Sequence, residues 1–383
     1  MPWKETCTLD ERLQFVEYLK AVGEMSELCK EFGISRKTGY KWLARYETEG
    51  PKGLHDRSRA PHHSPQAIDD DVSQVLLAAR RAHPTWGPRK LLVMLQKEKP
   101  RVVLPAASTV GDLLRRYGLS EPRKRIRRVA PYTQPFAACS RSNELWCADF
   151  KGQFRTADRV LCYPLTISDA YSRFIIRCEG LKRATGLGAW PHFEAAFREY
   201  GLPRAIRSDN GSPFATKGPH GFSRLSIWWL KLGIRHERIK PGHPEQNGRH
   251  ERMHRTLKSE TAKPPRSNLR TQQRAFDKFV EEFNYQRPHE AIEQKTPGQI
   301  YRPSSRKFPE SLPQFEYSSK QSIRRVMDGG RIRLKKRLIY IGDQFSGEDI
   351  GLIQASDHTW EVWLGPIRLG LADILHPGLS LIY

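Results

Sequence analysis

Acidic residues are scarce in this 383-residue chain. It carries 42 Asp and Glu against 65 Lys and Arg, a formal net charge of +23. That imbalance excludes an acidic solvating protein and favours a polyanion partner, because each basic group that meets a phosphate displaces a condensed counterion. Long apolar runs are missing as well. No stretch of about 18 apolar residues is present to span a bilayer, and no long amphipathic basic helix marks a membrane-surface protein. The opening residues, MPWKETCTLDERLQF, have no apolar centre of the signal-peptide kind. The six cysteines (Cys7, Cys29, Cys139, Cys147, Cys162 and Cys178) show no C-x-x-C spacing and lie in apolar stretches. They argue against a disulfide or zinc framework and predict reduced, buried thiols in a cytoplasmic, nucleoid-associated protein.

What is present is globular: 38% hydrophobic and 28% charged residues. At roughly 100–200 residues per domain the length predicts two to four domains. Residues 1–50 show helical spacing through Leu9, Leu13, Val16 and Leu19, a second helix over 25–32, the turn Gly33-Ile34, and a third helix opening at Ser35. Leu28, Ile34, Tyr40 and Leu43 are the expected small core. Ser35, Arg36, Lys37, Thr38 and Lys41 then face out at the start of the third helix. That is helix-turn-helix geometry, with early residues of the second motif helix at base edges; any other three-helix bundle is the plainer alternative. Residues 51–65, rich in Gly, Pro, His and charge, read as an extended linker. A second helix-turn-helix-like unit is expected over 66–120, with helices at 68–82, 88–98 and 107–117 and an aromatic plug at Trp86-Gly87-Pro88. Residues 121–138 form a basic linker. Its run EPRKRIRR carries Arg123, Lys124, Arg125, Arg127 and Arg128, either a solvated linker or an arm that tracks phosphates.

From 139 to 302 the pattern changes. Strand-like runs at 145–150, 161–168 and 174–179 precede a helix over 184–200 and a short strand at 205–208, which indicates an α/β domain. Residues 303–383 hold short strands in RIRLKKRLIYIG, DIGLIQ, TWEVWLG and IRLGLADI, and read as a small basic β-barrel.

Chemistry has few carriers. Asp149 lies in the apolar strand LWCADF, where a carboxylate is costly unless paired or metal-bound. Asp209 follows a strand in IRSDNGSPF; alone it is a turn residue, but with Asp149 it forms a metal-binding candidate. In RIKPGHPEQNGRHERMHRTLKSE, a helix over 245–260 puts Asn247, Glu251, His254 and Lys258 on one face.

Together WCADF, SDNGSPF, HPEQNGRHERMHRTLK and FNYQRPHEAIEQKTPGQIY resemble the DDE integrase/transposase superfamily. The resemblance covers about residues 140–302. It is nearest to bacterial insertion-sequence transposases with a retroviral-integrase-like catalytic core. It implies all-α helix-turn-helix N-terminal units, an α/β RNase H-like core and a small C-terminal β-barrel. It also implies two Asp and one Glu around two divalent cations. Asp149 and Asp209 match the two Asp. The family's usual spacing lands on Glu245, whereas the Pro-x-x-x-Gly-x-x element, matched by Pro244 and Gly248, points to Glu251. Extra loop over 216–225 accounts for the difference, so Glu251 is the expected third ligand, with Asn247 and Lys258 as DNA contacts.

Three carboxylates suit Mg²⁺ or Mn²⁺. The implied reaction is metal-dependent nicking at an element end, then attack of the freed 3′-OH on target DNA. The implied partners are double-stranded DNA, both terminal inverted repeats and target, and further copies of the chain; an ATPase helper stays open, and no membrane is expected. A DNA-binding regulator derived from a transposase with an inactive core is the alternative. His250-Glu251-x-x-His254 also matches the zinc-protease pattern, but Arg249, Arg252, Arg255 and Lys258 crowd that helix with positive charge. No His/His/Cys/Cys module is present, so no structural zinc is expected. Arg287-Pro288-His289 closes the core in the family and carries no expected catalytic role. Trp228 and Trp229 are expected in the core, and Asp169 is expected to be structural.

Overall fold

Helical spacing at the start of the chain becomes three helices, α1 (Thr8–Val22), α2 (Met25–Glu31) and α3 (Arg36–Glu49). The computed structural model describes residues 7–58, 67–120, 139–150, 152–216, 218–239, 248–375 and 378–380. Arg123, Lys124, Arg125, Arg127, Arg128, Glu245 and Asn247 lie outside them. The chain divides into two compact units, Met1–Ala67 and Ile68–Tyr383.

In the first unit Ser35 caps α3, its hydroxyl accepting from the Thr38 N–H at 3.2 Å. Gly39 lets α2 approach, since a Cβ there would stand 2.7 Å from Met25 Sδ and 2.8 Å from Cys29 Sγ. The core gathers Phe15, Val16, Leu28, Cys29, Trp42 and Leu54, with Ile34 and Leu43 half-buried. Tyr40 departs from the expected core: it is 51% exposed, and Trp42 fills the centre instead. Positions two apart lie about 200° apart on a helix, so only one of the two rings can face the core, and the helix phase decides which. The stretch read as an extended linker begins with a 3₁₀ turn, Gly50–Leu54, that buries Leu54 completely. Burying one Leu side chain is worth about 2 kcal/mol, enough to hold the turn against the helices.

The second unit opens with α4 (Asp70–Ala82), α5 (Pro88–Glu98) and α6 (Ala107–Arg116) around Leu76, Leu77, Trp86, Leu91, Val110 and Leu114. Proline at the first turn starts α5, where its missing N–H costs nothing.

A mixed sheet follows: β1 (Leu145–Phe150), β2 (Phe154–Arg155), β3 (Leu161–Asp169), β4 (Ile175–Leu181), then α7 (Gly186–Tyr200), β5 (Ala205–Ser208), α8 (Arg224–Lys231) and β6 (Arg235–Arg238). The main strands run β4-β3-β1-β5-β6, with β2 on the start of β3. β3 is antiparallel to β1 and β4, whereas β5 lies parallel to β1 and β6 parallel to β5. Trp146, Phe193, Phe197, Ile206, Trp228 and Trp229 fill the core between sheet and helices, as expected for the two adjacent tryptophans. The helices α9 (Gly248–Thr261), α10 (Leu269–Glu281) and α11 (Pro297–Ile300) complete this part. Asp169 is structural: its carboxylate accepts from the N–H groups of Asn143 and Ser172, each at 2.8 Å.

The C-terminal strands are β7 (Ser322–Arg325), β8 (Arg331–Leu334), β9 (Arg337–Tyr340), β10 (Asp349–Gln354), β11 (Thr359–Leu364), β12 (Ile367–Asp373) and β13 (Gly378–Ser380). They do not close into the expected barrel among the described residues. β13-β12-β11-β10-β7 form an open five-stranded sheet, and β8-β9 form a separate hairpin. The alternating Ile332, Leu334 and Ile339 of the hairpin share one apolar cluster with Ile350, Leu352, Trp360 and Val362 of the sheet. Two packed layers therefore bury the apolar faces that closure was expected to bury. The cysteines also depart in part from expectation. Cys29, Cys147, Cys162 and Cys178 are buried, but Cys7 is exposed and Cys139 half-buried. Cys7 stands just before α1, and Cys139 packs at the edge of a small cluster of Leu145, Cys147, Ala170 and Ala205.

Candidate active site

The parallel register of β1 on β5 pairs Leu145 with Ala205, Trp146 with Ile206 and Cys147 with Arg207. Carried two residues further, it brings Asp149 level with Asp209 at the same end of the sheet. Asp209 stands in the turn after β5, and its Oδ1 accepts from the Gly211 N–H at 3.2 Å. Burial pushes the Asp209 carboxyl above the ordinary range, with the Gly211 N–H opposing. Among the described residues no basic side chain pairs with it. A desolvated carboxylate without a basic partner, in a chain of net charge +23, is suited to a hard cation.

Helix α9 lies over this corner. Its buried stripe is His250, Met253, His254 and Leu257, whereas Glu251 and Lys258 are exposed. His254 therefore leaves the polar face that its spacing had shared with Glu251 and Lys258, because the amphipathic split of the helix falls between them. Both imidazoles are held by hydroxyls of β3. Thr166 Oγ1 lies 2.8 Å from His250 Nε2 and 2.6 Å from His254 Nε2, and Ser168 Oγ lies 2.9 Å from His250 Nδ1. Thr166 also donates to the backbone carbonyl of Asp149 at 3.2 Å. A hydroxyl has one proton to give. The tautomer of each ring sets its role: an Nε2–H donates to Thr166, and an unprotonated Nε2 accepts from it. His250 Nδ1 is within hydrogen-bond reach of Ser168 Oγ, and His254 Nδ1 faces Asp149 Oδ2 at 3.7 Å.

Two groupings result. Ligand atoms of Asp149, His250 and His254 all lie within 4.8 Å of one another, close enough to hold a metal ion. Asp149, Asp209 and Glu251 form no such tight set; strand register aligns the two Asp, and Glu251 projects from the helix beside His250. Sequence reading missed Thr166 and Ser168, which no motif marks. The i, i+4 histidine spacing was the available signal, and it reports a shared buried face rather than a protease site.

Elsewhere, Arg36, Lys37 and Lys41 are exposed on α3, with Lys41 Nζ 4.8 Å from the Trp42 ring centroid. Ser35 and Thr38 serve the helix cap. No described helix is long and apolar enough to cross a membrane.

Helix-turn-helix units beside a mixed α/β core with strand-end carboxylates define the class of protein. Residues 140–244 and 232–297 match Integrase core domain families, 11–62 a Helix-turn-helix domain family and 38–114 a Homeodomain-like domain family. A 39.2 kDa protein of insertion element IS476 from Xanthomonas euvesicatoria is 28% identical over 188 residues, 48% of this chain and 50% of the relative. A 31.7 kDa protein of insertion element IS407 from Burkholderia multivorans is 24% identical over 63% of this chain and 82% of the relative. The chain thus spans from half to four-fifths of these relatives. An intasome structure from simian T-cell lymphotropic virus aligns with 77% of this chain and 97% of its own at 17% identity and TM-score 0.38. These matches support a DDE integrase/transposase of the insertion-sequence type.

Proposed function

We propose that the protein is a DNA transposase. It binds the ends of its element, frees a 3′-OH by hydrolysis, and joins that 3′-OH to target DNA. Asp149, Asp209 and Glu251 are the metal ligands of an RNase H-like core, for two Mg²⁺ or Mn²⁺ ions. The observation that carries this reading is the parallel alignment of Asp149 with a half-buried Asp209 that has no basic partner among the described residues. Three carboxylates supply hard oxygen donors, and such ions, when bound, activate the attacking oxygen and stabilise the leaving one.

The chain's own residues do the rest. Thr166 holds the backbone of Asp149 and both imidazoles in one arrangement, and so fixes α9, the helix that carries Glu251, against β3. Lys258, exposed on the same helix, reaches for phosphate, as does Asn247. The exposed residues at the start of α3 choose sequence, and the wider basic surface fixes position without reading bases. Two element ends meet one target, so the active species is a multimer on double-stranded DNA.

The test is nicking of labelled duplexes taken from the DNA flanking the reading frame, with Mg²⁺ or Mn²⁺. Wild type is compared with Asp149→Asn, Glu245→Gln and Glu251→Gln. Nicks lost in Asp149→Asn and Glu251→Gln but kept in Glu245→Gln are expected. Loss with Glu245→Gln alone moves the third ligand. Specific duplex binding without nicking by any form overturns the proposal and leaves a DNA-binding regulator.

A further inference from the structure

The motif Arg287-Pro288-His289 has no part in the proposed chemistry, yet it lies in a junction within the second unit. Arg287 is almost wholly buried. Its Nη1 donates to Glu260 Oε1 at 2.8 Å, and its guanidinium lies 5.9 Å from the Trp86 ring and 6.0 Å from Phe283. Glu260 belongs to the last turn of α9, the helix that carries Glu251. Trp86 belongs to the turn before α5. Around this centre the Thr85 hydroxyl bonds Glu260, His83 Nδ1 meets Glu282 Oε1 at 3.1 Å, and Arg89 pairs with Glu290.

The contacts are polar and complementary: one ion pair, one hydroxyl and one imidazole meet carboxylates. Three glutamates of the core, Glu260, Glu282 and Glu290, face His83, Thr85 and Arg89 of the helical domain. The junction is also buried at its centre, where Arg287 is 6% exposed. Burial, then Arg287, lowers Lys90 to about 8, and burial, then Lys90 and Arg287, lowers His289 to about 3. Exposed pairs such as Arg89 and Glu290 contribute little alone. A desolvated Arg–Glu pair under an aromatic ring is different, because removing one partner leaves a buried charge. The third helix of the domain, α6, keeps Ser108, Arg115 and Arg116 exposed, and in helix-turn-helix geometry that helix meets the major groove.

We propose that Arg287 and Glu260, by receiving the Trp86 ring and the Thr85 hydroxyl, form an intramolecular dock that clamps the second helix-turn-helix domain to the end of α9. The dock holds α6 at a set distance from Asp149, Asp209 and Glu251, so the sequence that α6 reads determines which phosphodiester is cut. The last step rests on the transposase reading; the dock does not.

Pulsed electron–electron resonance tests it on the full chain. Spin labels go on Ser108→Cys in α6 and Ser259→Cys in α9, both exposed, with the accessible Cys7 and Cys139 replaced by Ser. One narrow distance distribution is expected for the otherwise native chain, and a broad one for Arg287→Gln and Glu260→Gln. Glu260 sits at a helix end, so its variant keeps the test decisive if Arg287→Gln fails to fold. A broad distribution before either substitution, or a narrow one after both, overturns the dock. The position of nicks separates the two proposals. In the variants nicks should spread to neighbouring phosphodiesters while duplex binding is retained; nicks as sharply placed as in wild type refute the distance-setting role. Absence of nicking in every form counts against the transposase reading, and the distance measurement still decides the dock.

Discussion

Thr166 Oγ1 lies 2.6 Å from His254 Nε2, and the same oxygen reaches His250 and the backbone of Asp149. One hydroxyl thus ties a helix to the strand that bears a candidate metal ligand. Thr166→Val keeps the shape and removes all three bonds. Two buried imidazole nitrogens then lose their partner, at about 1–3 kcal/mol each. We expect urea denaturation to show that loss in the second unit, and nicking to require more Mg²⁺ for half-maximal rate. Thr166→Ser, which keeps the hydroxyl, should restore both. An unchanged Mg²⁺ requirement in Thr166→Val would reduce the network to packing.

Asp209 is raised by burial. Its folded carboxyl binds a proton more tightly than the unfolded one, near 3.9, so ionisation costs stability as pH rises from about 4 through the folded value. Asp209→Asn should therefore stabilise the metal-free protein at neutral pH, with the difference vanishing below about pH 4. Removing a residue that only supports a metal ligand costs about 10–100-fold in affinity or activity; loss of the ligand itself should exceed that in nicking. Thermal melting across pH, with and without Mg²⁺, reads the first effect. Equal melting of wild type and variant at pH 7 would remove the buried-charge argument.

Two half-buried imidazoles make the opposite prediction at low pH. Burial, first, then Arg238 lowers His236 to about 4, and burial, then Lys90 and Arg287, lowers His289 to about 3. The unfolded chain takes up these protons near 6.5, so stability should fall as pH drops below about 6.5, levelling off only below the folded values. At about 1.4 kcal/mol per unit the loss amounts to several kcal/mol. His236→Gln and His289→Gln should each flatten the acid limb of stability against pH.

Much of this was legible before any coordinates, for identifiable reasons. α5 and the strands β1 and β5 have their expected bounds, because Pro88 starts one and apolar runs between turns delimit the others. Ser35 was recognisable as a cap because a hydroxyl before a helix has a specific partner. The burial of Trp228 and Trp229 followed from their apolar surroundings. What escaped depends on tertiary geometry. Tyr40 and Trp42 are equivalent until the phase of α3 is set. Barrel and two-layer packing share one alternation of apolar residues. Thr166 has no distinguishing neighbours in sequence; only the crossing of α9 over β3 gives it three partners.

The start of α3 separates two roles that the sequence had merged. Arg36, Lys37 and Lys41 are exposed, but Ser35 is committed to the Thr38 N–H. A Lys that neutralises one phosphate contributes about 0.9 to the slope of log affinity against log salt on duplex DNA. Lys37→Gln should therefore lower that slope by about 1 and leave the melting of the first unit unchanged. Ser35→Ala removes the cap and should cost that unit about 1 kcal/mol, with the salt slope kept. Fluorescence anisotropy on a terminal-repeat duplex, repeated over a salt series, measures the slope; chemical denaturation measures the cap. If Lys37→Gln keeps the full slope, α3 does not lie against the DNA backbone, and the base-reading role passes to α6.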